Sequence, residues 1–162
     1  MLKQIIATIA LAAAAGPAFA QDASEIARVQ SGDSCPRCNL FQADLAYMDL
    51  SDIDVSGARL RQSDMQLSTF DDWNLSGANI SVANLFGTRF NRADFTSASL
   101  ERATLVGAYF GSSTFTKANL SGANLSGADL SIAQGLTQQQ LDTACGDPST
   151  RLPAGLSVRA CR

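Results

Sequence analysis

The 162-residue chain contains no histidine. That absence removes the imidazole that activates serine and cysteine nucleophiles, and with it the commonest protein metal ligand. Surplus positive charge is lacking too. Twelve Lys and Arg stand against fifteen Asp and Glu, a net charge of −3, which is poorly matched to nucleic-acid phosphates. Beyond residue 20 no apolar run approaches the roughly 20 residues that a membrane span needs. No calcium-loop spacing is present, and no cofactor or metal is expected.

What is present starts with "MLKQIIATIALAAAAGPAFA". Lys3 supplies a charged n-region, the apolar run from Ile5 to Ala15 is too short to cross a bilayer, and Ala18-Phe19-Ala20 gives the small-x-small ending. This pattern predicts a secretory signal peptide cleaved after Ala20 and an exported product, periplasmic or secreted, that does not insert in the membrane. The four cysteines, Cys35, Cys38, Cys145 and Cys161, are an even number in an exported chain and point to disulfides. Three pairings are open. Proximity favours Cys35 with Cys38 and Cys145 with Cys161.

Between the cysteine pairs the sequence repeats every five residues, most plainly in "ANLSGANLSGADLS", Ala118 to Ser131. Extending the Leu phase both ways gives nineteen apolar centres from Leu40 to Leu130. The residue two before each centre is usually Ala, and the flanks carry Asp, Asn, Ser or Thr. Centres five apart turn by about 500°, or 140° net, on a helix and would scatter around it. On a straight strand they would alternate between faces. The chain must therefore turn a corner in every repeat, with one large and one small side chain inside, as in a narrow solenoid. Phe70, Phe90 and Phe110 lie twenty apart, as do Phe95 and Phe115, and so do Gly57 and Gly77. Four repeats per coil would stack rings on rings and place glycines at corners that need φ > 0.

These residues resemble the pentapeptide repeat family, whose motif is A-(D/N)-L-x-x and whose fold is an all-β, right-handed quadrilateral β-helix. The resemblance covers Cys38 to Ile132 and implies about five coils, roughly 20–25 Å of solenoid at the usual strand spacing. The expected organisation is a signal peptide at 1–20, an N-terminal cap containing CPRC at 21–37, the β-helix at 38–132, and a C-terminal cap helix with a disulfide tail at 133–162. Met48, Ile53 and Trp73 put large side chains in the small slot, and at Trp73 the pattern predicts a widened coil or an outward bulge.

Open solenoid ends invite pairing with other molecules and need covers. At the C-terminus "GLTQQQLDTACGDP" offers Thr137 as N-cap with Gln140 as its capping-box partner, Leu136 and Leu141 as the hydrophobic staple, and Gly146 and Pro148 as a stop. A Cys145–Cys161 bridge behind it would contribute about 3 kcal/mol in the chain-entropy model. At the N-terminus Ile26 and Val29 suit a short amphipathic turn over the first coil. The CPRC spacing matches the thioredoxin-type redox motif, but that chemistry uses a helix N-terminus in a βαβ setting. Cys38 occupies an inward slot here, so a structural staple is the preferred reading.

Folding the sequence into rows of twenty places Tyr47, Leu67, Phe86 and Val106 together on the outside, a candidate surface for a protein partner. The alternative is that the N-terminal segment packs there. The neighbouring side carries Asp49, Asp52, Asp71 and Asp72, followed by Arg89 and Arg92, and reads as a solvated charge ladder rather than a cation site. The function expected is a non-enzymatic exported scaffold or protein-binding module, as monomer or homodimer. One alternative is a thiol-disulfide oxidoreductase using Cys35 and Cys38. The resemblance implies another, a DNA mimic that protects a topoisomerase, against which the signal peptide and the modest charge weigh.

Overall fold

A computed structural model describes residues 20–162; the predicted signal peptide, up to residue 19, lies outside the described residues. From Asp44↔Asp64 to Thr114↔Gln134 every backbone bridge is parallel and joins residues twenty apart. The chain therefore winds as a coil of four pentapeptides, as the spacing of the phenylalanines requires. We number the four sides by their central residues. Side 1 holds Val55, Leu75, Phe95 and Phe115, and side 2 holds Leu40, Leu60, Ile80, Leu100 and Leu120. Side 3 holds Leu45, Met65, Leu85, Leu105 and Leu125, and side 4 holds Leu50, Phe70, Phe90, Phe110 and Leu130.

All of these centres are buried except Leu50, on the first coil, which is partly buried against the core. The rings stack as the period demands. Phe90 and Phe110 lie 5.6 Å apart at 4° between planes, and Phe95 and Phe115 4.9 Å apart at 10°. Neighbouring columns meet edge to face, Phe90 against Phe95 at 5.1 Å, the two arrangements that the ring quadrupole favours.

Trp73 departs from the expected bulge. Its ring is fully buried, 4.2 Å from Phe70, and the ladder runs past it without a break, Asp54↔Asn74↔Asp94. Side 1 has Val55 and Leu75 at this level and turns to phenylalanine only at Phe95, so the indole occupies volume that the smaller centres leave. Its Nε1–H donates to the Leu50 carbonyl at 2.8 Å, twenty-three residues back.

That bond belongs to a set. At a standard corner the N–H of the small-slot residue donates to the preceding centre, as Ala78 does to Leu75 at 3.0 Å. At four corners a side chain from the next coil reaches the carbonyl instead. Ser68 donates to Leu45 at 2.8 Å, Thr88 to Met65 at 2.7 Å, Ser113 to Phe90 at 2.9 Å, and Trp73 to Leu50. Ser68 and Ser113 also accept the displaced N–H groups of Met48 and Ala93, each at 3.0 Å. These buried hydroxyls are thereby satisfied.

Both ends are covered by side chains that satisfy open backbone. Helix α1, Ala23–Gln30, is N-capped by Asp22, whose carboxylate accepts from Ser24 and Glu25, and it buries Ile26 and Val29. Glu25 accepts the Asn39 N–H at 2.5 Å, and Gln21 and Gln30 donate to the Gln42 and Asp44 carbonyls at 2.7 and 2.8 Å. Helix α2, Gln138–Leu141, has the Thr137/Gln140 capping box. Gln140 also donates to the Phe115 and Ala118 carbonyls, both at 2.8 Å. Pairing continues beyond Ile132. Asn124 bridges Cys145 and Asp129 bridges Arg151, so after α2 the chain returns to sides 3 and 4 with one and then two residues inserted.

Candidate functional site

In nearly every repeat the second residue after the centre has φ between 52° and 68°, glycine or not. That conformation throws its side chain off the corner. At the corner between sides 3 and 4 these residues are Tyr47, Leu67 and Gly87, with φ of 60°, 52° and 61°. The ladder runs Tyr47 N–H to Gln66 at 3.0 Å, Leu67 to Phe86 at 2.8 Å and Gly87 to Val106 at 2.9 Å. Leu67 leans over Gly87, where a Cβ would lie 2.7 Å from its Cδ2. The fold thus brings Tyr47, Leu67, Phe86 and Val106 onto one edge. Tyr47 is 71% exposed, Leu67 49% and Phe86 44%, and Val106 is partly exposed. The N-terminal residues 21–30 hydrogen-bond to residues 39, 42 and 44 instead, and among the described residues the edge stays open.

Side 4 adds Tyr109, 38% exposed, which the sequence reading passed over. It belongs to the column Asp49, Thr69, Arg89, Tyr109, so counting in twenties from Asp49 would have found it. Its ring covers Gly111, where any Cβ would collide with it. Two acids on this side are paired with arginines one coil on. Arg89 meets Asp71 at 2.7 Å, and Arg92 forks onto both oxygens of Asp72. Arg92 holds the Asp72 carboxyl below its ordinary range, first by hydrogen bonding. The same hydrogen bond raises Arg92, to which Asp52 also contributes. Among the described residues no group of three or more His, Cys, Asp or Glu is placed to hold a metal.

The disulfides are Cys35–Cys38 and Cys145–Cys161. Cys35 and Cys38 are buried and follow the C-terminal end of α1 in the chain. Cys145 borders an open cavity of about 450 Å³ beside Gly122 and Arg159, and the Arg159 Nε–H is engaged by the Ala144 carbonyl at 3.0 Å. Among the described residues no helix is long and apolar enough to cross a membrane.

The family model described as pentapeptide repeats matches eight copies over residues 38–72, 74–111 and 93–131. This chain belongs to the pentapeptide repeat family. No curated protein sequence matches it significantly. Solved structures similar to this pentapeptide repeat chain include one from the Arabidopsis thaliana thylakoid lumen, with 29% identity over 55% of each chain and a TM-score of 0.35. HetL, from the cyanobacterium Nostoc sp. strain PCC 7120 and involved in heterocyst differentiation regulation, shares 24% over 79% of this chain and 60% of its own, at 0.32. QnrB1, a plasmid-mediated fluoroquinolone resistance protein, shares 16% over 81% and 86%, at 0.42. The chain spans between half and two thirds of the first two.

Proposed function

We propose that this protein is a non-enzymatic exported scaffold: a right-handed quadrilateral β-helix of about five coils, capped at both ends, that binds a protein partner along the corner of sides 3 and 4. The observation that carries the reading is the exposed edge of Tyr47, Leu67 and Phe86 on a backbone fixed by the inter-coil ladder. Large apolar side chains gathered on a rigid surface are the anchors that association uses. Export is supported by the two disulfides, which persist in oxidising compartments, and cleavage after Ala20 follows the small-x-small ending of the leader. The redox alternative has less support, because burial of Cys35 and Cys38 disfavours a reactive thiolate. The DNA-mimic alternative has less support too, because Arg89, Arg92 and Arg151 neutralise acids on side 4. The test is capture from the native envelope by the mature protein and by a Leu67→Ser/Phe86→Ser double variant. The variant should keep its dichroism spectrum and lose the partner. Equal capture by both proteins would refute the assignment of this edge.

A further inference from the structure

Side 4 and its apolar edge carry two patterns centred on the same coil. The charges run from Asp49 and Asp52 on the first coil, through Asp71 and Asp72, to Arg89 and Arg92 on the third. The edge runs Tyr47, Leu67, Phe86 over the same three coils. Among the described residues Asp49 and Asp52 have no ion pair within 4 Å, although Asp52 acts on Arg92 through space, while the side chains of Arg89 and Arg92 remain 54% and 57% exposed. Arg89 uses one terminal nitrogen on Asp71 and keeps further donors for an outside acceptor.

Consider two copies meeting through side 4 about a two-fold axis that lies in the interface, perpendicular to the solenoid. Such an axis preserves position across the side and reverses the order of coils. The first coil then meets the third, and the second meets itself. Asp49 faces Arg89 of the second copy, Asp52 faces Arg92, Leu67 meets Leu67, and Tyr47 falls opposite Gly87, beside Phe86, while Asp71 and Asp72, each held by an arginine of its own chain, meet their own counterparts. An axis along the solenoid would instead set first coil on first and third on third, acids beside acids and arginines beside arginines. Only the antiparallel arrangement sets the acids of the first coil against the arginines of the third, and matching of this kind, residue i to j and j to i, defines an isologous contact.

We propose that the occupant of side 4 is a second copy of this chain in that antiparallel arrangement. The proposal rests on the reading of the Tyr47–Phe86 edge as a binding surface and names its partner. Three coils rise only about 10 Å, so the contact area falls short of the ~800 Å² per partner of a standard interface. Association therefore belongs at high micromolar concentration and should weaken with salt, since the charges are exposed.

The experiment is sedimentation equilibrium of the mature chain up to about 1 mM, at low and high salt, together with charge-swapped variants. Asp49→Arg alone and Arg89→Asp alone should each self-associate at least about tenfold more weakly than the unaltered chain. Their equimolar mixture should recover the original affinity, because each arginine then meets an aspartate. Leu67→Asn, on the axis and tolerant of its φ of 52°, should weaken association while the fold is kept. An unaltered chain that is monomeric at the highest concentration would overturn the proposal, and so would a mixture no tighter than its components. Envelope capture that disappears in the Leu67→Ser/Phe86→Ser variant while the unaltered chain stays monomeric would remove self-association and leave the binding edge intact.

Discussion

Ser63 and Ser113 occupy the same small inward slot and are both fully buried, yet truncating them should have different costs. The Ser113 hydroxyl accepts the Ala93 N–H and donates to the Phe90 carbonyl, and neither backbone group has another hydrogen bond. Ser113→Ala leaves both unpaired in a dry interior, each costing about 1–3 kcal/mol. Some of that returns if the corner closes on itself as it does at Ala78. The expected loss is about 2 kcal/mol, or about 4–8 °C in melting temperature for a chain of this size. Ser63 donates only to Leu60, whose carbonyl also accepts the Ser63 N–H at 3.1 Å. Ser63→Ala restores the residue the repeat prefers and should stay within about 0.5 kcal/mol. Urea unfolding of the two variants beside the unaltered chain decides the matter. Equal costs, or a neutral Ser113→Ala, would show that the hydroxyl does not hold the corner open.

Two further predictions concern strain and pH. Val82 sits at φ 59° and is 40% exposed; relieving a β-branched residue of this conformation gains ~1–2 kcal/mol against the greater freedom of unfolded glycine. Val82→Gly should therefore raise stability by about 0.5–1 kcal/mol in denaturant, and any loss would count against the strain. With no histidine, melting temperature should be level from about pH 5.5 to 8. Asp22, Asp72 and Asp147 are held low, first by Ser24, Arg92 and Ser149 respectively. Carboxyls depressed by folding contribute stability above their unfolded pKa, and it is lost as pH falls through the folded value. The decline should thus begin only near pH 4, as a calorimetric pH series will show; a step near pH 6.5 would contradict it.

The period of five, the coil of twenty and the aromatic columns were legible because each is a spacing, and spacing survives without coordinates. Trp73 was not. Its fit depends on Leu75 being smaller than Phe95 one coil on and on a carbonyl at Leu50, relations between residues that no periodicity advertises. The return of the chain at Cys145 and Arg151 was hidden for a related reason, since one and two inserted residues after α2 break the count. At the candidate edge Tyr47, Leu67 and Phe86 emerged from the rows of twenty. Their accessibility depended on where α1 lies, which the hydrogen bond Glu25 accepts and those Gln21 and Gln30 donate decide.

The side chains that reach back twenty-three residues have a consequence for how the chain finds this winding. Pentapeptides so alike could pair one repeat out of step and still bury a Leu in every slot, so hydrophobicity alone is nearly degenerate with respect to slippage. Ser68, Thr88, Ser113 and Trp73 each require a particular carbonyl that its own corner has released. The phenylalanine columns each require a ring directly above or below. A coil wound five residues out of step leaves those donors stranded and reduces the three ring pairs to two at a spacing of twenty-five or one at fifteen. Departures from the repeat thus serve as addresses, telling otherwise interchangeable units which neighbour is theirs.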